Sequence, residues 1–255
     1  MKILKYKKGR GNEYKILTNE KEYTLYDDII IKHELLLKKE ISKKEWDSIL
    51  KENNLLKSYY DGLKAINIKL RSEKELRDLL TKKNYQPSEV DYAIKRIGKE
   101  GYLNHKVYIE AYIHDALTLN MIGELKILKD LEKLGFNEKE IKSELNKVDK
   151  KIYKDKIKKY IDKKLKSNKK SANEFIKKIT LDLSNKGFFR EDIINYLSTL
   201  EIEDNKEEIS KIVDKLYNKY INKYDLYTTK MKIKGYLYSK GYTDINIDEY
   251  LKRAE

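Results

Sequence analysis

The sequence predicts a mainly α protein, with tandem three-helix repeats in an elongated, curved array and a small β-containing cap at the N-terminus. Three observations predict it. One proline and ten glycines in 255 residues leave little punctuation for an all-β chain. Short periodic runs rich in Lys, Leu, Ile and Glu favour helices. A five-position apolar pattern returns four times at nearly constant spacing.

The N-terminal 57 residues form the predicted cap. The segments KILKYK, EYKILT and KEYTLY read as three short strands, joined by the Gly9-Arg10-Gly11-Asn12 turn and by a tight turn at Asn19-Glu20. One or two helices follow. The second is opened by Ser42 and Glu45 at capping-box spacing, with Trp46 on its apolar side.

The repeat is anchored on four aromatics, Tyr85, Phe136, Phe188 and Tyr242, which lie 51, 52 and 54 residues apart. Nine and five residues before each anchor, and five and nine after it, every position is apolar. The quintets are Leu76, Leu80, Tyr85, Val90 and Ile94; Ile127, Leu131, Phe136, Ile141 and Leu145; Ile179, Leu183, Phe188, Ile193 and Leu197; and Ile233, Leu237, Tyr242, Ile247 and Leu251. Asn84, Gly135, Gly187 and Gly241 stand just before the anchors and suit the left-handed residue that closes a helix. One helix therefore ends at each anchor and another begins shortly after it.

A further helix is expected upstream of each pair. NHKVYIEAYIHDALTL, residues 104–119, supplies one, with Asn104 as cap and Tyr108, Tyr112 and Leu119 among its apolar residues. Residues 150–166 and 207–224 are its counterparts, and the first version, around SYYDGLKAINIKL, reads as the shortest. The expected divisions are a cap at 1–57 and repeats at 58–103, 104–148, 149–203 and 204–255. Units of this size have little private core, so neighbours are expected to stack. That geometry favours a binding surface over a pocketed enzyme.

The formal charge is +14 and the isoelectric point about 9.3, which suits a polyanionic partner. An AT-rich genome would also raise Lys, Ile, Asn and Tyr in any protein, so distribution is more informative than the total. Twelve lysines against three aspartates in residues 147–170 carry +9 of it. There Ile152, Ile157, Ile161 and Leu165 suggest an apolar stripe, leaving Lys150, Lys151, Lys154, Lys158, Lys163 and Lys166 to solvent. Two readings stand side by side: a solvated helix face, or contact with DNA phosphates or acidic partner residues. Arg71, Arg77, Arg96 and Arg190 form a second candidate set, since the guanidinium fork suits carboxylate or phosphate. For Arg71 a local ion pair with Glu75 is the competing reading. Most of the 22 tyrosines fall at apolar helical positions and read as core.

No catalytic, cofactor or metal constellation emerges. The chain lacks cysteine, which excludes disulfides and thiolate zinc sites. His105 and His114 are nine residues apart and do not share a helix face at ligand spacing, and His33 is distant in sequence. The Gly9-Arg10-Gly11 turn lacks the Gly-Lys-Ser/Thr of a phosphate loop. No stretch approaches the roughly 20 apolar residues of a membrane span, and a soluble cytoplasmic monomer without cofactor is expected.

These residues carry a family resemblance. KLRSEKELRDLLTKKNY at 69–85, KRIGKEGYLN at 95–104, YIEAYI at 108–113 and LEKLGF at 131–136 resemble the bacterial RecX family, strongest over residues 60–146. Asn84 stands where that family usually has glycine, and Asn104-His105 where acidic residues are usual. The run LTLNMIGELK lacks the basic residues often found there. The resemblance implies three-helix repeats and a protein that binds the RecA recombinase filament on single- or double-stranded DNA. It also implies limited filament growth or promoted disassembly, damping recombination and the SOS response. The alternative from charge and shape alone is a general DNA-binding helical repeat protein that needs no recombinase.

Overall fold

A computed structural model describes residues 1–243 and 245–251. Over these the chain is mainly helical, with one three-stranded antiparallel sheet. It divides into two compact units: Met1–Ala111 with Leu131–Glu140, and Tyr112–Asp130 with the residues from Ile141 onward.

The first unit opens with β1 (Ile3–Lys8), β2 (Glu13–Thr18) and β3 (Glu22–Tyr26), paired in chain order. The strands alternate as a half-buried sheet requires: Ile16 and Thr18 point inward while Lys15 and Leu17 face solvent. Gly11 takes the left-handed conformation in the first turn, at φ 57°. A short helix, α1 (Asp27–Lys32), and a 3-10 turn at Leu35–Leu37 lead to α2 (Lys43–Ile68). Ser42 caps α2 by accepting the Glu45 amide at 3.2 Å, and Trp46 is buried, as the sequence suggests.

α2 corrects one expectation. The segment expected to hold the shortest first helix lies within the longest helix among the described residues, 26 residues running unbroken from Lys43 through position 57. It serves two cores. Trp46, Ile49 and Leu56 pack against the sheet, while Tyr59 and Ala65 pack against α3 (Glu73–Lys82) and α4 (Pro87–Lys99). Buried Asn53, Ser58 and Gly62 interrupt its apolar period, which hides its length from a pattern search. Asn53 fastens helix to sheet: its carbonyl oxygen accepts the Tyr26 amide at 3.0 Å, and its amide donates to the Thr24 carbonyl at 3.1 Å.

The remaining helices are α5 (His105–Leu119), α6 (Glu124–Lys133), α7 (Glu138–Leu145), α8 (Lys151–Leu165), α9 (Ala172–Asn185), α10 (Arg190–Leu197), α11 (Lys206–Tyr220), α12 (Leu226–Ser239) and α13 (Ile247–Leu251). The quintets mark the same place in each group. Asn84, Gly135, Gly187 and Gly241 all have positive φ, 64°, 92°, 85° and 83°. In every case the anchor's amide donates to the carbonyl five residues earlier: Tyr85 to Leu80, Phe136 to Leu131, Phe188 to Leu183 and Tyr242 to Leu237, at 3.1 to 3.3 Å. This is the Schellman closure, in which the residue after the left-handed one also packs on that earlier side chain. The spacing of five is therefore backbone geometry written in apolar residues. All quintet members are buried except Tyr85 and Leu251, which are half-buried.

A junction accompanies these turns. Lys74, near the start of α3, donates to the Lys133 carbonyl at the end of α6, at 2.8 Å. Before α6, Gly123 donates to the Lys186 carbonyl at 2.8 Å, and Leu125 donates to the Gly187 carbonyl at 3.0 Å. At the start of α9, Ser171 donates through Oγ to the Lys240 carbonyl at 2.8 Å, and Asn173 reaches the Gly241 carbonyl at 3.1 Å. The backbone segments approach most closely where Gly123 meets Gly187: a Cβ on Gly123 would lie 2.3 Å from the Gly187 oxygen.

Candidate nucleic-acid interface

α8 carries the lysine run, and its neighbours determine which lysines are free. Asp149 opens the helix by accepting the Lys151 amide at 2.9 Å. Its buried stripe is Tyr153, Ile157 and Ile161, four residues apart. The expectation for Ile152 and Leu165 is corrected accordingly: Ile152 is 39% exposed and Leu165 only half-buried. With helical spacing, the choice of Tyr153 as the inward residue turns Ile152 by about 100° toward solvent. Leu119 of α5 is likewise exposed, because Tyr108, Ile109, Ile113 and Ala116 form the inward face of that helix.

The six singled-out lysines are all exposed, but they differ in partners. Lys150 pairs with Glu124 at 2.6 Å, and Lys154 lies 3.9 Å from Asp192. Lys151, Lys158, Lys163 and Lys166 have no acidic partner among the described residues. Lys156, which the run conceals, turns inward and donates to the carbonyls of Ala116 and Asn120 at 3.2 and 2.7 Å, closing the end of α5. Desolvation lowers its pKa.

Polar ties hold α8 in place. Tyr160 donates to Asp182 of α9 at 2.5 Å, and Asp162 accepts from Tyr196 of α10 at 2.6 Å. Each hydrogen bond to a carboxylate, followed by desolvation, pushes its phenol up to about 12. Past the end of α8 the basic surface continues around a hollow of about 300 Å³, where Lys164, Lys169 and Lys178 rim a floor of Phe175 and Ile179. Lys178 joins from α9, a placement that no run in the sequence signals.

The arginines separate sharply. Arg71 donates to the Ala65 carbonyl at 3.2 Å, closing the end of α2, while Glu75 forms the reciprocal capping box with Ser72. The expected Arg71–Glu75 pair is thus replaced by a backbone contact. Arg77 is held by Glu73 at 2.8 Å and Asp91 at 2.5 Å. Arg96 pairs with Glu100 at 3.1 Å and lies over the Tyr59 ring, 4.0 Å from its centroid. Only Arg190 of the four is exposed with no partner among the described residues.

The histidines converge on no site. His33 lies 2.7 Å from Glu52, His105 packs edge-on to Phe136, and His114 is exposed. Among the described residues no cluster of His, Asp and Glu gathers at metal-binding distance, and no helix is long and apolar enough to cross a membrane.

Comparison with known proteins follows this geometry. No family model matches the chain. It is similar to regulatory protein RecX of Bacillus velezensis, 28% identical over 256 residues covering 97% of this chain and 96% of that one. RecX of Bacillus subtilis is 27% identical over 260 residues, covering 100% and 98%, and RecX of Streptococcus sanguinis 27% over 261, covering 99% of each. A solved structure of regulatory protein RecX superposes with a TM-score of 0.63 at 19% identity, over 76% of this chain and 98% of the other. RecX from Lactobacillus salivarius gives 0.51 at 22%, over 58% and 99%. The solved structures share the fold. The resemblance carried by a few segments in the first 146 residues extends from end to end.

Proposed function

We propose, from a chain similar along its whole length to regulatory protein RecX, that it restrains the RecA recombinase by binding the recombinase or its filament on DNA. The full-length similarity to proteins named as regulators is the observation that carries this reading. Restraint acts through contact and without catalysis, in recombination and the SOS response. The exposed lysines of α8 supply charge for a polyanionic lattice: Lys151, Lys158, Lys163 and Lys166 face solvent with no acidic partner among the described residues, with Lys150 and Lys154 beside them and Arg190 on α10. Arg71, Arg77 and Arg96 are better read as structural, given their internal contacts. The division into a cap at 1–57 and four repeats is part of the same reading, each repeat offering surface to successive protomers.

The test compares affinity for naked and RecA-coated DNA at matched salt. Preference for the coated lattice is expected. Equal affinity for both would favour a general DNA-binding repeat protein that needs no recombinase.

A further inference from the structure

α9 carries one apolar face more than a surface helix needs. Phe175, Ile179 and Leu183 fill its buried side. Leu181 lies about 200° around the helix from Ile179 and is 62% exposed, with Ile176 at 37%. Ile194 of α10 is 46% exposed. These three line one groove of about 650 Å³ between the two helices. A helix that is apolar on two sides is built to be covered on both.

The other groups carry charge at the same place. Six residues after the four anchors stand Asp91, Lys142, Ile194 and Asp248. In the first and last groups that aspartate ties the two helices across the gap: Asp91 meets Arg77 of α3 and Asp248 meets Lys230 of α12, each at 2.5 Å. Seven residues before the anchors, Asp78, Lys129 and Gly235 correspond to Leu181. The third group alone is aliphatic at both positions. Packing within the chain does not account for the exchange, since Leu181 and Ile194 are both exposed.

The rim gives the sign of what covers this groove. Lys177 and Arg190 line it beside the aliphatic residues, and neither has an acidic partner among the described residues. No carboxylate lines it, because the neighbouring ones are engaged elsewhere: Glu174 pairs with Lys170, and Glu191 and Asp192 line a separate hollow with Lys150 and Lys154. We propose that the groove docks an amphipathic helix of a partner protein, with aliphatic side chains seated on Ile176, Leu181 and Ile194 and an acidic flank paired with Lys177 and Arg190. The lining has no aromatic ring on which a base could stack, which disfavours nucleic acid. A second copy is disfavoured by the chain's own charge of +14. Under the recombinase reading, on which this one rests, the partner is RecA: the groove holds the protein while α8 faces its DNA.

The probe is RecA free of DNA, titrated at matched salt against the full chain and two variants. Leu181→Ser/Ile194→Ser removes the aliphatic lining and leaves every charge, whereas Lys177→Glu reverses one rim cation and leaves the lining. All three side chains are exposed, so melting temperatures near the parental value are expected. Each variant is expected to weaken RecA affinity by roughly tenfold or more, as loss of an interface anchor does. The double variant is expected to bind naked single-stranded DNA as the parental chain does. Parental RecA affinity in the double variant would overturn the proposal and leave the recombinase reading standing. So would parental affinity in Lys177→Glu, since an occupant without acidic residues is indifferent to that charge. No binding of RecA by the parental chain would overturn both readings. Loss of DNA affinity alone in the double variant would assign the groove to nucleic acid, and loss of self-association with unchanged RecA affinity would assign it to a second copy; either result overturns the proposal.

Discussion

Gly187 and Gly101 have nearly the same backbone conformation, φ 85° and 84°, and quite different surroundings. A Cβ on Gly101 would meet nothing within 4 Å, whereas one on Gly187 would lie 2.3 Å from the Lys126 amide and 2.5 Å from its Cβ. Gly101→Ala should therefore cost only the left-handed strain, about 1 kcal/mol. Gly187→Ala should cost about 3 kcal/mol or more, because backbone must shift at the junction with α6. Urea unfolding measures both, and equal losses would show that the close approach carries no energy. The tyrosine ties give a second prediction. Tyr160 and Tyr196 have folded values raised from 10.0 to about 12, so the unfolded chain releases these protons first. Their contribution is fully present below pH 10 and lost as pH rises through about 12. The double variant Tyr160→Phe/Tyr196→Phe should lose about 1–2 kcal/mol at neutral pH and show a shallower decline over the alkaline window. An unchanged alkaline slope would contradict it. At this scale the sequence was partly legible. The left-handed positions stood out because Asn and Gly, the residues that adopt that conformation most readily, precede each apolar anchor. Asn53 and Lys156 did not, since a polar side chain satisfied by a distant backbone leaves no local period.

Among the elements, α8 is where charge and packing are most closely interleaved. Its lysines were visible as a run, but their division into free and occupied groups depended on Glu124, Asp192 and the end of α5, none of which is near in sequence. The stripe was legible to within one residue. Tyr153 took the place assigned to Ile152, because an amphipathic tyrosine and an isoleucine one position apart fit the same period nearly equally well. Lys158→Glu, Lys163→Glu and Lys166→Glu together should leave the melting temperature nearly unchanged, since these side chains are exposed. On single-stranded DNA the triple variant should bind more weakly. Its log-affinity against log-salt slope should fall by about 2, near 0.7 per lost phosphate contact. Lys156→Ala is the matched control: it should destabilise the fold by about 1–2 kcal/mol and leave the salt slope alone. A triple variant with the parental slope would make α8 a solvated face and nothing more.

Across the whole chain, the most legible feature was the spacing of the four aromatics. It encodes one backbone event, the Schellman closure, and the carbonyl partner of each anchor falls at the same offset every time. The helix starts that meet three of these turns were not legible, because they use backbone atoms and residues as different as Lys74, Gly123 and Ser171. The N-terminal sheet was read from alternation and turn chemistry, while α2 was not read to its full extent, because one helix answers to two cores. The partner proposed for the chain is written in no local pattern at all, and that proposal rests on similarity along the whole chain. The central claim is restraint of a recombinase by binding. The measurement that reaches it most directly is ATP hydrolysis by RecA on single-stranded DNA as this chain is titrated in, with filament length followed in parallel. The account predicts that turnover and length fall together as the chain saturates the filament. Undiminished turnover on full-length filaments, with the chain in excess, would contradict it.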